Sequence, residues 1–503
     1  MLPHRPNRLA LACLGGLLAA QSTLAQDGSA AARHVSIEPS VSLTETFTNN
    51  FDLRARDPRS DAITRLTAGL SFLGTSGPVR GALTYTLSGL VYARHQSFNT
   101  VQNQLNARLN TSLIEDRLQL LAVADVSRSA LSAFGVQPGG GAEVNGNGTE
   151  LRRFQLSPTL RGALGGALRY TATLSHTITD AADTSAGDST ASSLLVSLAP
   201  ASSGRLGWSM DAEHQTSDYK VGRATSGDRL SATGRLTLDD LDLQLQVKGG
   251  VERNDISSLS SESYSNWGLG VTWAPSPTTK VTAETEDRFF GRSHALSIDY
   301  RTPRTQWRFS QTRALSSASA GSRSTLFDLF FARLASDQPD PILRAALVNA
   351  VLSAQGLNPK TLSSGSLLSS GATVQDQQTL SMAWTGPRDV VSLTLSSGKT
   401  RSIDAAVTAV DVSGAAVVRQ RTATFDVSHR LAPESSLSLV ASAQHNSGDN
   451  AAQRLRQRRA EAQYTQQLTS RSSVILALRR VMYESGNDNF GETAVIATYG
   501  LRF

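Results

Sequence analysis

The segment from Gly491 to the final residue, Phe503, reads GETAVIATYGLRF and alternates with period two. Thr493, Val495, Ala497, Tyr499, Leu501 and Phe503 fall on one face, and Glu492, Thr498, Gly500 and Arg502 on the other. A strand with one apolar face and an aromatic last residue fits the closing strand of a barrel whose outer side meets lipid.

The alternation extends backwards through the chain. Leu243, Leu245, Val247 and Val251 alternate with Gln244, Gln246, Lys248 and Glu252. Leu206, Trp208, Met210 and Ala212 alternate with Arg205, Ser209, Asp211 and Glu213, and Leu105, Ala107 and Leu109 with Asn106, Arg108 and Asn110. Each run is a strand with one apolar side.

The connections alternate as well. Short turns fall near Gly74–Pro78, Glu115–Asp116, Gly162–Gly166, Pro200–Ser203, Asp239–Asp240, Pro275–Thr278, Thr302–Arg304, Gly386–Arg388, Ala432–Glu434 and Thr469–Arg471. Between them lie mostly longer polar loops, near 48–60, 94–102, 129–149, 179–190, 216–226, 253–262, 315–374, 400–418, 446–455 and 485–490, with a tight reversal near Gly291. Short periplasmic turns alternating with longer external loops are the pattern of an up-and-down transmembrane barrel, and the count predicts about 22 strands. A soluble sandwich or β-helix also has alternating strands, but nothing in either sorts its connections by parity.

One segment breaks the pattern. Within the long loop 315–374, the stretch 324–355 carries helical spacing at Leu326, Leu329 and Phe330 and again at Ile342, Ala345, Ala346 and Asn349. Asp337, Pro339, Asp340 and Pro341 divide it, and Pro341 suits a helix start, which predicts a short helical hairpin. It has three open roles: capping the mouth, constricting the lumen or touching a partner.

The amino-terminal region, 1–25, reads as a secretory signal peptide, leaving 26–503 as the barrel. Arg5 and Arg8 precede the apolar Leu9–Ala20, and Thr23-Leu24-Ala25 offers a cleavage site. The one cysteine, Cys13, lies inside it after a poor lipobox, so the rest of the chain has no thiol chemistry. No run of about 18 apolar residues predicts a membrane-spanning helix. Losing Arg5 and Arg8 would lower the formal net charge of +6 by two, and the remaining charge is scattered, which speaks against nucleic acid as a partner.

Charge in the lipid band costs about 2–4 kcal/mol at mid-depth for Arg or Lys. Charged strand residues are therefore expected to face the lumen or sit at its rims: Arg108, Arg169, Arg205, Asp211, Glu213, Arg235, Asp242, Lys248, Glu284, Glu286, Arg308 and Asp426, with Arg65, Arg161, Arg229 and Glu252 beside them. They read either as a salt-bridged polar interior or as the lining of a wet passage for a polar solute. The histidines lack metal-ligand spacing, and no G-x-S-x-G elbow occurs. Ser397-Gly398-Lys399-Thr400 resembles the end of a phosphate loop, but Leu393 stands where a glycine is needed. No catalytic, metal or cofactor site is expected. Barrels of about 22 strands that depend on an energising partner carry a plug before the first strand, whereas strand-like sequence begins here at Val35.

Several stretches resemble one family. They are Pro39-Ser40-Val41-Ser42, Glu45-Thr46-Phe47-Thr48-Asn49-Asn50, Ser60-Asp61-Ala62-Ile63-Thr64, Gly69-Leu70-Ser71, Gly89-Leu90-Val91-Tyr92 and Asn103-Gln104-Leu105. Tyr300-Arg301-Thr302-Pro303, Trp307, Phe327-Asp328 and Pro339-Asp340-Pro341 continue them. The chain thus resembles the PEP-CTERM system-associated outer-membrane proteins, with Phe47 where Tyr is usual and Asn49 where Asp is usual. The resemblance implies a Gram-negative outer-membrane barrel in exosortase-bearing, exopolysaccharide-producing envelopes. It implies outer-membrane lipid and exopolysaccharide or its export components as partners, and supplies no active residues. Tyr499, Leu501 and Phe503 are similar to the terminal signal read by the barrel-assembly machinery. A non-conducting barrel that binds a partner through its external loops is the alternative to a conduit.

Overall fold

The computed structural model describes residues 35–503 except 76, 78, 138–145, 203, 317–343, 345–347, 349–367, 408, 411–413 and 487. The first strands are β1 (Val35–Thr48), β2 (Asp61–Gly74), β3 (Val79–Tyr92), β4 (Thr100–Ile114), β5 (Leu118–Ala130), β6 (Gly148–Leu164), β7 (Leu168–Ala181) and β8 (Ser189–Pro200). Then come β9 (Leu206–Tyr219), β10 (Thr225–Leu238), β11 (Leu243–Asn254), β12 (Glu262–Ser276), β13 (Thr279–Arg288), β14 (Gly291–Arg301) and β15 (Thr305–Ser316). The last are β16 (Thr373–Thr385), β17 (Asp389–Ser402), β18 (Val417–Ala432), β19 (Ser435–Ser447), β20 (Arg454–Gln467), β21 (Ser472–Ser485) and β22 (Asp488–Arg502).

Every strand pairs antiparallel with its sequence neighbours, forming one 22-stranded sheet. β1 pairs with β22, from Ser40↔Arg502 to Thr48↔Ala494, and this closes the barrel. The result is an all-β, up-and-down antiparallel barrel of outer-membrane type. Closure satisfies every strand edge, which lipid requires because it offers the backbone no hydrogen bonds.

The outer surface is what the alternation demands. On β9, Leu206, Trp208 and Met210 point outward and are exposed, while Ser209, Asp211, Glu213, Ser217 and Tyr219 alternate with them. Val247 and Val251 do the same on β11, as do Leu476 and Leu478 on β21. Outward aromatics gather near the short-turn end: Tyr170, Trp208, Trp273, Tyr300, Trp307, Trp384, Tyr464 and Tyr499. The aromatic content is only 6%, yet its placement builds an interfacial girdle there.

The connections sort by parity. After even-numbered strands they are short, the longest being 201–205. After odd-numbered strands most are longer, such as 49–60, 131–147 and 403–416, with Phe289-Phe290 and 486–487 as tight exceptions. The reversal at Phe289-Phe290 ends on Gly291 at φ +93°, where an L side chain is strained. The 485–490 region, expected as a loop, is mostly strand: β21 and β22 continue to Ser485↔Asp488, and Gly486 at φ +58° makes the turn. These strand ends lie beyond the apolar band, where alternation leaves no hydrophobic signal. Of the expected helical hairpin 324–355, Arg344 and Val348 are described and helical; the rest lies outside the described residues.

Candidate functional site: the lumen and its roofed outer mouth

The inward-facing rows are polar over most of their length. They carry Gln102, Gln104, Asn106 and Asn110 on β4, Thr171, Thr173 and Ser175 on β7, and Gln244 and Gln246 on β11. Thr44 and Thr498 share a 2.9 Å hydrogen bond across the closing seam.

Most of the expected lumen charges are on this face. Asp211 accepts a hydrogen bond from the Ser197 hydroxyl at 2.6 Å. Glu286 takes Arg229, and Lys248 Nζ lies 3.5 Å from its other oxygen, so β10, β11 and β13 meet at one cluster. Arg308 Nε binds Asp299 at 2.9 Å. Asp426 is buried and accepts from Ser392 Oγ at 3.2 Å. Arg169 lies at the short-turn end, where Nη2 donates to the Pro200 carbonyl at 3.3 Å. Arg108, Glu213, Arg235 and Glu284 occupy inward positions on β4, β9, β10 and β13.

Two of the expected positions fall at the rim. Arg205 and Asp242 do not lie on strands but in the short turns 201–205 and 239–242, at the rim. Asp242 follows the 3-10 turn Asp239–Leu241 and has φ +46°, a left-handed conformation that Asp tolerates and a strand does not contain. At the carboxy-terminus, Tyr499 and Leu501 face outward. The Phe503 N–H donates to the Pro39 carbonyl at 3.0 Å, with its ring exposed.

Towards the end that carries the long connections the interior changes from polar and open to packed. On β3, Thr84 is exposed and Thr86 half-buried, whereas Leu90 and Tyr92 are buried completely. The packing partners come from the long connections. Phe51 joins Ile63, Leu90 and Tyr92, with Phe98 against them and the Arg59 guanidinium 5.0 Å from the Phe51 ring. Two residues on, Leu53 packs with Leu455, Val481 and Tyr483. Loop 49–60 therefore spans the top of the closing seam. Beneath it Arg479 and Glu492 form a buried pair, at 2.9 and 3.1 Å, and Thr48 Oγ1 donates to Glu492 at 2.8 Å. Sequence reasoning missed this pair. Its signal was the doublet Arg479-Arg480, which in a strand must send one charge to each face.

Other connections cross the mouth. Loop 131–147 leaves β5 and reaches β19 and β21, where Asn446 Nδ2 donates to the Ala133 carbonyl at 2.5 Å and Ser485 Oγ to the Phe134 carbonyl at 3.2 Å. Ala133 and Phe134 pack on Val410, Ala415 and Val418. Leu368, just before β16, packs on Leu151 and Ala181 of β6 and β7. Arg223, after β9, binds Asp404 at 3.2 Å and donates to the carbonyls of Ile256 and Ser258 at 2.9 and 3.1 Å. The outer mouth is thus roofed by segments that meet across the barrel, while the connections at the other end are too short to do so. Among the described residues no group of three His, Cys, Asp or Glu side chains is arranged to hold a metal ion.

No protein-family model and no curated protein matches the chain. Several solved structures are similar to it. The FrpB iron transporter from Neisseria meningitidis (F5-1 variant) aligns at a TM-score of 0.48 and 12% identity, covering 93% of this chain and 82% of that one. OccK1 (OpdK) of Pseudomonas aeruginosa aligns at 0.36 and 10%, covering 93% and 99%. A mutant of the ferric enterobactin receptor PfeA from the same organism, in complex with enterobactin, gives 0.46 and 11%, covering 95% and 82%. At such identities and scores, none of these likenesses bears on what this chain carries.

Proposed function

We propose that the protein is a Gram-negative outer-membrane conduit for polyhydroxylated solute, its external mouth held shut by its own loops. The observation that carries this reading is the change along the inward face. Amide and hydroxyl side chains and paired charges line the barrel below a roof of packed loops. Amides and hydroxyls both donate and accept, which suits sugar hydroxyls better than a single ionic charge. The resemblance to PEP-CTERM system-associated proteins points to exopolysaccharide export as the setting. A second reading, a non-conducting barrel that binds a partner through its external loops, draws on the same roof.

Conductance in planar bilayers separates the two. The intact chain is expected to conduct little. A variant in which 132–146 and 317–367 are replaced by short Gly/Ser linkers is expected to conduct steadily and to be blocked by added neutral polysaccharide. Silence of a correctly folded roofless barrel would overturn the conduit reading and leave the partner-binding one.

A further inference from the structure

Outward-facing charge is rare in a barrel because lipid surrounds it, yet one sector of this one concentrates it. Lys399 on β17, Arg419 and Arg421 on β18, Arg456 and Arg458 on β20 and Arg480 on β21 all occupy outward positions and are exposed. The register brings them together: Lys399 stands directly opposite Arg419, and His445 on β19 lies between Arg421 and Arg456. Like charges set opposite each other across strands are destabilising unless something neutralises them.

The protein supplies little neutralisation. Glu484 takes Arg456 at 3.3 Å. Asp376 stands opposite Lys399 in the register. Asp449 is engaged by the backbone N–H groups of Ala416 and Val417, at 2.6 and 3.4 Å. Among the described residues no carboxylate pairs with Lys399, Arg419, Arg421 or Arg458. Some charges elsewhere on the outer surface are paired, as where Arg152 meets Glu150 at 2.8 Å and Asp180 at 3.8 Å, or His214 meets Asp228 at 2.7 Å.

The height of the patch says what matches it. All six cations lie in the part of their strands nearest the long connections. Strands of 14 residues such as β17 and β21 rise about 3.4 Å per residue and tilt about 40°. They therefore stand about 36 Å tall, against an apolar band of about 25 Å. Below the cations the outward residues turn apolar, after Ser397 on β17 and alanines on β18 and β19: Leu395 on β17, Phe425 on β18, Leu439 on β19 and Leu478 on β21. A basic row above an apolar surface is complementary to a molecule with phosphates on top and acyl chains beneath.

We propose that this sector of β17–β21 is a binding site for a phosphorylated lipid of the outer leaflet, phosphates on the arginines and acyl chains on the apolar belt. The proposal rests on the outer-membrane reading for its orientation, with long connections external, and is independent of whether the lumen conducts. Phosphate oxygens accept from several guanidinium groups at once, which turns the repulsion between neighbouring cations into a shared attraction.

The test uses the full-length chain purified in dodecyl maltoside, with bound lipid read by native mass spectrometry. Diphosphoryl lipid A is expected to bind, whereas the same lipid stripped of both phosphates should not, and millimolar inorganic phosphate should fail to displace it. Arg419→Gln/Arg421→Gln/Arg456→Gln/Arg458→Gln is expected to weaken binding on the order of tenfold or more. Arg304→Gln/Arg388→Gln/Arg471→Gln, in turns at the opposite end, should leave it unchanged. The smaller Arg421→Gln/Arg456→Gln variant covers the case in which the quadruple variant fails to show the heat-modifiable mobility of a folded barrel, and the wild-type lipid arms need no variant. Equal binding of the dephosphorylated lipid, displacement by inorganic phosphate, or equal loss in the turn variant would each overturn the proposal.

Discussion

The largest single-residue commitment in the barrel is the pair Arg479–Glu492. Both side chains are almost wholly buried, and the pair bridges β21 to β22 while Thr48 adds β1. Desolvating two charges offsets most of their attraction, so the intact pair contributes modestly, but removing one partner strands the other. Arg479→Met or Glu492→Leu alone is expected to destabilise the folded barrel by about 3–5 kcal/mol, whereas the double substitution should recover most of the loss. Urea unfolding of the chain refolded into lipid vesicles reads both outcomes, and a double variant no better than the singles would show that the pair is stabilising outright. Because it sits at the closing seam, the loss should appear as faster opening between β1 and β22.

At the scale of elements, the crossing loop 131–147 is tied at its own base by Asn147, with Gln137 Nε2 donating to the Ser132, Ala133 and Gly135 carbonyls beside it. Asn147 Oδ1 accepts from the Ser132 N–H at 2.8 Å, and Nδ2 donates to the carbonyls of Ser132 and Val136 at 2.9 and 3.0 Å. Asn147→Ala removes bonds each contributing about 1 kcal/mol and leaves their partners to water or to one another. It is expected to speed trypsin-independent nicking of this loop by a broad protease without altering urea stability. Unchanged nicking would mean that Gln137, with Asn446 and Ser485 from the far side, suffices to hold the loop. The strands were readable in sequence because lipid on one side and water on the other force alternation, as in β9 and β11. The parity of the connections was readable for the same reason. The crossings were not, since Ala133 meets Asn446 through a backbone carbonyl that carries no sequence signature. Arg205 and Asp242 read as strand residues because alternation in residue type runs on past the point where hydrogen bonding stops. The outward arginines of β18 and β20 were hidden by the assumption that strand charges face the lumen.

For the whole molecule, we propose that assembly and stability are separable at Phe503. β22 is paired with β21 from Asp488 to Leu501 and with β1 from Ala494 to Arg502, and its outward row of Val495, Ala497, Tyr499 and Leu501 continues the apolar belt. Phe503 lies beyond the last strand residue, joins the barrel through one backbone bond to Pro39 and leaves its ring 60% exposed. Its side chain therefore contributes little to the folded barrel, and we propose that it acts instead during insertion, as its likeness to an assembly signal implies. Deleting Phe503 is expected to lower sharply the amount of heat-modifiable barrel recovered from outer membranes. Spontaneous refolding of the purified chain into lipid vesicles, and its urea midpoint there, should stay within about 0.5 kcal/mol of the parent, as for a surface change away from packed features. Parallel loss in cells and in vesicles would assign the residue to stability instead. Loss in neither would mean that Tyr499 and Leu501, which a truncated β22 still presents, suffice as the signal.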